Sequence, residues 1–239
     1  EIAGLPRSPD CAGDIYLGLG ERELLPVTVD FATQPHLLIL GDGDCGKTSV
    51  LRLLCMQLTQ AGSPDERKLF VVDYRRTLLG VVPPTHLIAY AVSNVALAEQ
   101  LSAVIEILEM RIPGADVTAE QLRDGSWWAG PQIFVIVDDY DLVSDVGDSL
   151  RPLMRLLPYA ADIGLHLVIA RRSAGASRAM FEPLLSQIRD TGCPALLMNG
   201  NPEEGSLVRG RRPASQPAGR GILIDGDDAQ TVQVGWCPP

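Results

Sequence analysis

Short apolar runs alternate along this chain with stretches of helical spacing. His36-Leu37-Leu38-Ile39-Leu40, Lys68-Leu69-Phe70-Val71-Val72-Asp73, Gln132-Ile133-Phe134-Val135-Ile136-Val137 and Leu165-His166-Leu167-Val168-Ile169-Ala170 are nearly continuous in apolar residues. That pattern predicts strands covered on both faces. Weaker strand runs fall at 86–91 and 195–198. Val50, Leu53, Leu54 and Leu58 share one face of a helix over 49–58. Ser93 is placed as the N-cap of a second helix, with Val95, Leu97, Ala98, Leu101, Val104, Ile105 and Leu108 as its apolar stripe, ending at Pro113-Gly114. We expect further helices over 145–159, with Pro152 in its first half, and over 181–189. A closing strand pair is expected at 221–225 and 231–235, turning at Gly226-Asp227. The alternation predicts an α/β fold, a mainly parallel sheet with helices on both faces. Residues 1–34 read as a Gly- and Pro-rich lead-in arm with one edge strand at 15–19, and residues 35–239 as the main domain.

Gly41-Asp42-Gly43-Asp44-Cys45-Gly46-Lys47-Thr48 lies between the first strong strand and its helix. It fits the phosphate-loop pattern G-x-x-x-x-G-K-[ST], so the chain reads as a P-loop NTPase. A strand–loop–helix of this kind turns backbone N–H groups and a helix N-terminus towards an anion. Lys47 would reach the β- and γ-phosphates of ATP, and the Thr48 hydroxyl would ligate Mg²⁺. Asp138 and Asp139 close the strongest strand. Asp138 stands where a second metal-holding acid belongs, although two acids at a strand end also serve as simple turn residues. Asp139 stands where many motors of this class carry Glu. It is one methylene shorter, about 1.5 Å less reach, and a misplacement of about 1 Å can cost on the order of 10²-fold in rate. Nucleotide binding with slow hydrolysis is therefore expected.

Arg171-Arg172 follows the strand ending at Ala170, where ring-forming relatives hold a small polar γ-phosphate sensor. An Arg there either neutralises phosphate charge or faces solvent. Cys45 in the loop would make binding sensitive to oxidation if its thiol were reactive. Trp127-Trp128 either pack a loop on the core or present an aromatic anchor. His36, His86 and His166 are too scattered for a metal site and read as structural.

The net charge of −10 repels a phosphate backbone and counts against nucleic acid as the main partner. Arg209, Arg211, Arg212 and Arg220 are a local exception, read as a solvated loop. Five cysteines without a C-x-x-C pair argue against a disulfide framework or zinc site and suit a reducing, cytoplasmic setting. No run of about 18 apolar residues would insert in a membrane. Glu1 in place of a start methionine leads us to expect a longer chain around this one.

Four further stretches are more specific than the phosphate loop: Asp30-Phe31-Ala32-Thr33-Gln34-Pro35-His36, Val72-Asp73-Tyr74-Arg75-Arg76-Thr77-Leu78-Leu79-Gly80, Trp128-Ala129-Gly130-Pro131 and Val137-Asp138-Asp139-Tyr140-Asp141-Leu142-Val143. Together they resemble the carboxyl-terminal ATPase domain of EccC, the FtsK/SpoIIIE-type ATPase of actinobacterial type VII secretion systems. The resemblance spans nearly the whole chain. It implies a RecA-like P-loop domain in a tandem row of such domains, assembled as an oligomer at the inner face of the cell membrane. The implied partners are neighbouring ATPase domains and a secreted helical substrate, recognised through its carboxyl-terminal tail. It further implies that Gly41 to Ser49 bind ATP, that Thr48 and Asp138 hold Mg²⁺, and that Asp139 sits at the catalytic carboxylate position. Asp139, Arg171 and Arg172 depart from the active motor pattern. The alternatives are a fully active export motor and, against the charge, a DNA translocase.

Overall fold

The computed structural model describes residues 15–144 and 149–237. Ten strands form one sheet: β1 (Ile15–Gly20), β2 (Pro26–Val29), β3 (His36–Leu40), β4 (Arg67–Val72), β5 (Leu87–Ala91), β6 (Gln132–Val137), β7 (Leu165–Arg171), β8 (Ala195–Leu197), β9 (Arg220–Asp225) and β10 (Asp228–Val234). Their spatial order is β2-β1-β10-β9-β8-β3-β7-β6-β4-β5. The run from β8 to β5 is parallel and the run from β8 to β2 is antiparallel. This is the expected α/β architecture, with a larger antiparallel wing than the periodicity predicts. The lead-in arm supplies two strands, and β2 rather than β1 takes the edge.

The sheet is buried on both faces because its central parallel strands carry nearly unbroken apolar runs, such as Leu37–Leu40 and Ile133–Val137. Along β6, Ile133, Val135 and Val137 join a core with α2 (Asn94–Glu109) and α7 (Pro183–Asp190), while Phe134 and Ile136 join a second core under α1 (Lys47–Gln60). Side chains that alternate across a strand produce this division. Helix α2 starts as expected, the Ser93 side chain accepting from Ala96 N–H, and two short helices, α3 (Ala119–Asp124) and α6 (Ala176–Ala179), lie further along the chain. Trp127 and Trp128 pack: their indole N–H groups donate to Arg111 O and Asp162 O, and the Arg111 guanidinium lies 4.2 Å from the Trp128 ring centre.

The expected helix over 145–159 does not form as one element. Helix α4 (Tyr140–Ser144) precedes it, residues 145–148 of the expectation lie outside the described residues, and 3-10 turns follow at Arg151–Arg155 and Leu157–Tyr159 before α5 (Ala160–Ile163). Pro152 and Pro158 each remove a backbone donor, so i→i−4 bonds give way to short turns such as Leu153 N–H to Leu150 O.

In β1, Gly18 faces β10 so closely that a Cβ there would lie 2.0 Å from Gln233 O. On the main sheet, Phe134 stacks on His166 at 4.3 Å and meets Phe31 edge-on at 5.4 Å. His36 Nδ1 accepts from Leu167 N–H, and His166 Nδ1 bonds with Pro35 O. The stretch 31–36 is thereby seated between β3, β6 and β7. Burial pushes His36 down to about 4 and His166 to about 3. The unfolded chain takes up these protons as pH falls below about 6.5, whereas the folded chain does not until pH falls to about 4 and 3. Stability is therefore full above about 6.5 and drops as pH falls, by on the order of 2 kcal/mol for each histidine at pH 5. Urea unfolding at pH 7 and pH 5 is expected to show this loss, and His166→Phe to remove about half of it.

Candidate functional site

Because β3, β7, β6 and β4 are parallel, their carboxyl ends share one edge of the sheet, the edge where ligands of such sheets bind. That edge gathers the phosphate loop after β3, Asp138 after β6, Asp73 after β4 and Arg171 at the end of β7.

The loop from Gly41 to Lys47 is held by backbone bonds on three sides. Gly41 N–H donates to Arg171 O, Asp42 N–H to Asn199 O at 2.8 Å, and Gly219 N–H to Cys45 O at 2.8 Å. Gly46 adopts φ 104°, a left-handed conformation open to glycine, and leads directly into α1. Lys47 is buried, and its ammonium donates to Asp42 O at 3.0 Å. The Asp42 carboxylate accepts from the buried Ser173 hydroxyl. Asp44 is exposed and adopts φ 57°.

Asp138 is the centre of the site. It is 3% exposed. Its Oδ2 accepts from Thr48 Oγ1 and from Thr77 Oγ1, each at 2.9 Å, and its Oδ1 accepts from Asp139 N–H at 3.0 Å. Burial raises its pKa, as do the charges of Asp139 and Asp73, while the two hydroxyls work against the rise. The site therefore brings together Thr48 and Asp138, the two residues expected to hold Mg²⁺. A buried carboxylate beside a threonine hydroxyl and a lysine fits a divalent cation with a polyphosphate in charge and in donor type. Among the described residues no cluster of three or more His, Cys, Asp or Glu offers a protein-only metal site.

Asp139 lies beside this centre with φ 48°, and its Oδ2 is 3.2 Å from Arg75 Nε. Arg172 donates from Nε and Nη2 to Asp141 Oδ2 at 2.7 and 2.6 Å, so it anchors α4. Arg171 is 6% exposed, its Nε and Nη1 have no hydrogen-bond partner, and it lies within the fields of Glu182, Asp141 and Tyr140. Strand alternation puts it on the α7 face with Ile169, opposite α1. Ser173, two residues past the strand end, is the small polar group that touches the loop. Sequence reading stopped at Arg172 and missed it, and it missed Thr77, whose only signal was its place inside the Asp-Tyr-Arg-Arg-Thr stretch. Cys45 is 2% exposed, and burial raises its pKa, so its thiol is poorly suited to react. Arg209, Arg211 and Arg212 are exposed, as expected of a solvated loop.

Residues 17–124 match the FtsK/SpoIIIE family. The chain is 52% identical over 227 residues to the ESX-4 secretion system protein EccC4 of Mycobacterium tuberculosis, covering 94% of this chain and 18% of that protein. It belongs to the EccC family of FtsK/SpoIIIE-type ATPase domains. Its backbone superposes with TM-score 0.95 on the cytoplasmic domain of the Thermomonospora curvata type VII secretion ATPase EccC, at 39% identity, covering 99% of this chain and 28% of that one. A second structure, T. curvata EccC (ATPases 2 and 3) in complex with a signal sequence peptide, matches with TM-score 0.94 at 39% identity, covering 99% of this chain and 43% of that one. The chain thus spans under a fifth of the length of EccC4, and its fold is that of a RecA-like P-loop unit.

Thr77→Val removes one of two hydroxyls from a buried carboxylate. A charge-assisted bond of this kind contributes about 1.5–3 kcal/mol. We expect Thr77→Val to lower stability at pH 7 by about that amount in urea titration, and to weaken Mg²⁺-dependent more than Mg²⁺-independent nucleotide affinity.

Proposed function

We propose that this domain binds ATP with Mg²⁺, turns it over slowly, and takes part in recognising the carboxyl-terminal tail of a secreted substrate within a multi-domain secretion ATPase. The observation that carries the nucleotide part is the direct Thr48–Asp138 bond at 2.9 Å beside the buried Lys47. In this reading the backbone N–H groups of Gly41 to Ser49 and the Lys47 ammonium hold the phosphates, Thr48 and Asp138 hold Mg²⁺, and Asp139 orients the attacking water. Bound Mg²⁺ would supply charge neutralisation at the phosphates. Slow turnover is supported by the short Asp139 side chain, which points from a left-handed backbone position into an ion pair.

The tail-recognition part is supported by the likeness to the T. curvata domains solved with a signal sequence peptide. This chain also carries a groove of about 410 Å³ between α2 and the 3-10 turn at 151–155, with Ala98, Leu101, Ile105 and Pro152 as its apolar lining and Glu106, Glu109 and Arg155 as its charged lining. Grooves of this form accept the apolar face of a helix. Neighbouring ATPase domains and an oligomeric assembly on the cytoplasmic side of the membrane belong to the same reading. No helix among the described residues is long and apolar enough to cross a membrane.

Phosphate release at saturating Mg²⁺-ATP, with the bound nucleotide identified after denaturation, tests the first part. Retained ATP with slow release is expected, and Lys47→Ala should lower nucleotide affinity at least about tenfold through loss of a charged phosphate contact. Binding of a helical tail peptide, measured by titration calorimetry, tests the second. Ala98→Arg on the groove rim should abolish it without lowering the Tm. Unchanged ATP affinity in Lys47→Ala, or unchanged peptide affinity in Ala98→Arg, would overturn the respective part.

A further inference from the structure

Arg75 and Thr77 stand two residues apart on the loop after β4 and engage the two neighbouring acids, Thr77 on Asp138 and Arg75 on Asp139. The base of this loop is fixed. Asp73, 1% exposed, accepts from Arg75 N–H at 3.1 Å, from Leu78 N–H at 2.7 Å and from the Tyr90 hydroxyl at 2.6 Å. Arg52 of α1 donates to Thr77 O. The Thr77 arm is thus held from both sides, whereas the Arg75 side chain is 59% exposed and free to change partner.

The direction of the Arg75 contact follows from the strand order. β6 lies between β7 and β4, and the phosphate loop follows β3, on the β7 side. The ion pair therefore holds the Asp139 carboxylate to the β4 side of β6. The Asp139 backbone cannot compensate, because its N–H is bonded to Asp138 Oδ1 and its φ of 48° is already a sparsely populated one. Side-chain rotation is the freedom left to Asp139, and Arg75 takes it.

We propose that Arg75 is a positioning residue that holds Asp139 in a resting orientation, turned from the bound nucleotide, and so contributes to slow turnover. This inference rests on the reading of Asp139 as the water-orienting carboxylate. An exposed ion pair contributes at most about 1 kcal/mol, so its release raises the rate by up to about fivefold. Raised ionic strength screens such a pair.

Single-turnover hydrolysis of bound ATP tests it. Arg75→Gln should hydrolyse up to about fivefold faster than wild type with nucleotide Kd unchanged. Arg75→Lys, which keeps the charge, should return the rate towards wild type. Salt between 50 and 500 mM should raise the wild-type rate and leave that of Arg75→Gln flat. The gain should vanish in Arg75→Gln/Asp139→Asn. A rate for Arg75→Gln equal to or below wild type overturns the proposal, as does a gain that survives Asp139→Asn. Failure of the underlying reading shows separately, as an Asp139→Asn single variant that hydrolyses at the wild-type rate or as a wild-type protein without measurable ATP affinity.

Discussion

A buried carboxylate held by hydroxyls from two different segments is the constraint around which this domain is organised. Asp138 is 3% exposed, and an ionised acid at that depth requires donors. One comes from the first turn of α1 and one from the loop after β4, segments 90 and 61 positions away in sequence. For both to meet on one oxygen, β3, β6 and β4 must end level at one edge of the sheet. The parallel registers from β3 through β7 and β6 to β4 provide that alignment. The apolar strands bring charged residues to one edge, and the charged residues make a register slip costly.

The antiparallel wing has a separate role. β8 and β9 pair through Leu196 and Leu223, and the segment between β8 and β9 returns to the phosphate loop at both its ends. Asn199 O receives Asp42 N–H near its start, and Gly219 N–H reaches Cys45 O near its end. Backbone groups rather than side chains make these contacts, so the loop conformation depends on the wing being folded.

The legible and the illegible parts of this chain differ in physical kind. Strands β3, β4, β6 and β7 were legible because burial on both faces leaves an uninterrupted apolar run. The phosphate loop was legible because phosphate-binding backbone geometry requires glycine at fixed spacing. Ser93 announced α2 because a cap is a local bond. The region 145–159 was misread because the apolar spacing was helical while Pro152 and Pro158 removed the donors a helix needs. Ser173 and Thr77 were not legible as site residues at all. Each acts on an acid, 131 positions away for Ser173 and 61 for Thr77, and no local period encodes such a pairing. The same holds for Arg172, whose pairing with Asp141 spans 31 positions.

Gly18 marks how closely the amino-terminal hairpin approaches the wing. β1 meets β10 in register at Gly18 opposite Val234, where the approach leaves room for a hydrogen and for no carbon. The β1–β2 ladder shifts register between Tyr16 and Gly18, so the strand bends at the place where it docks. Any side chain at this position would act as a wedge along the seam. The seam is one of two attachments, because Tyr16 also exchanges hydrogen bonds with the Gln57 side chain of α1, and Ile15 and Leu17 pack in the core beneath that helix. The effect of the wedge would reach the nucleotide edge in two steps, because Val234 N–H donates to Gly219 O and Gly219 N–H to Cys45 O of the phosphate loop, so one missing methyl group guards the loop as well as the seam.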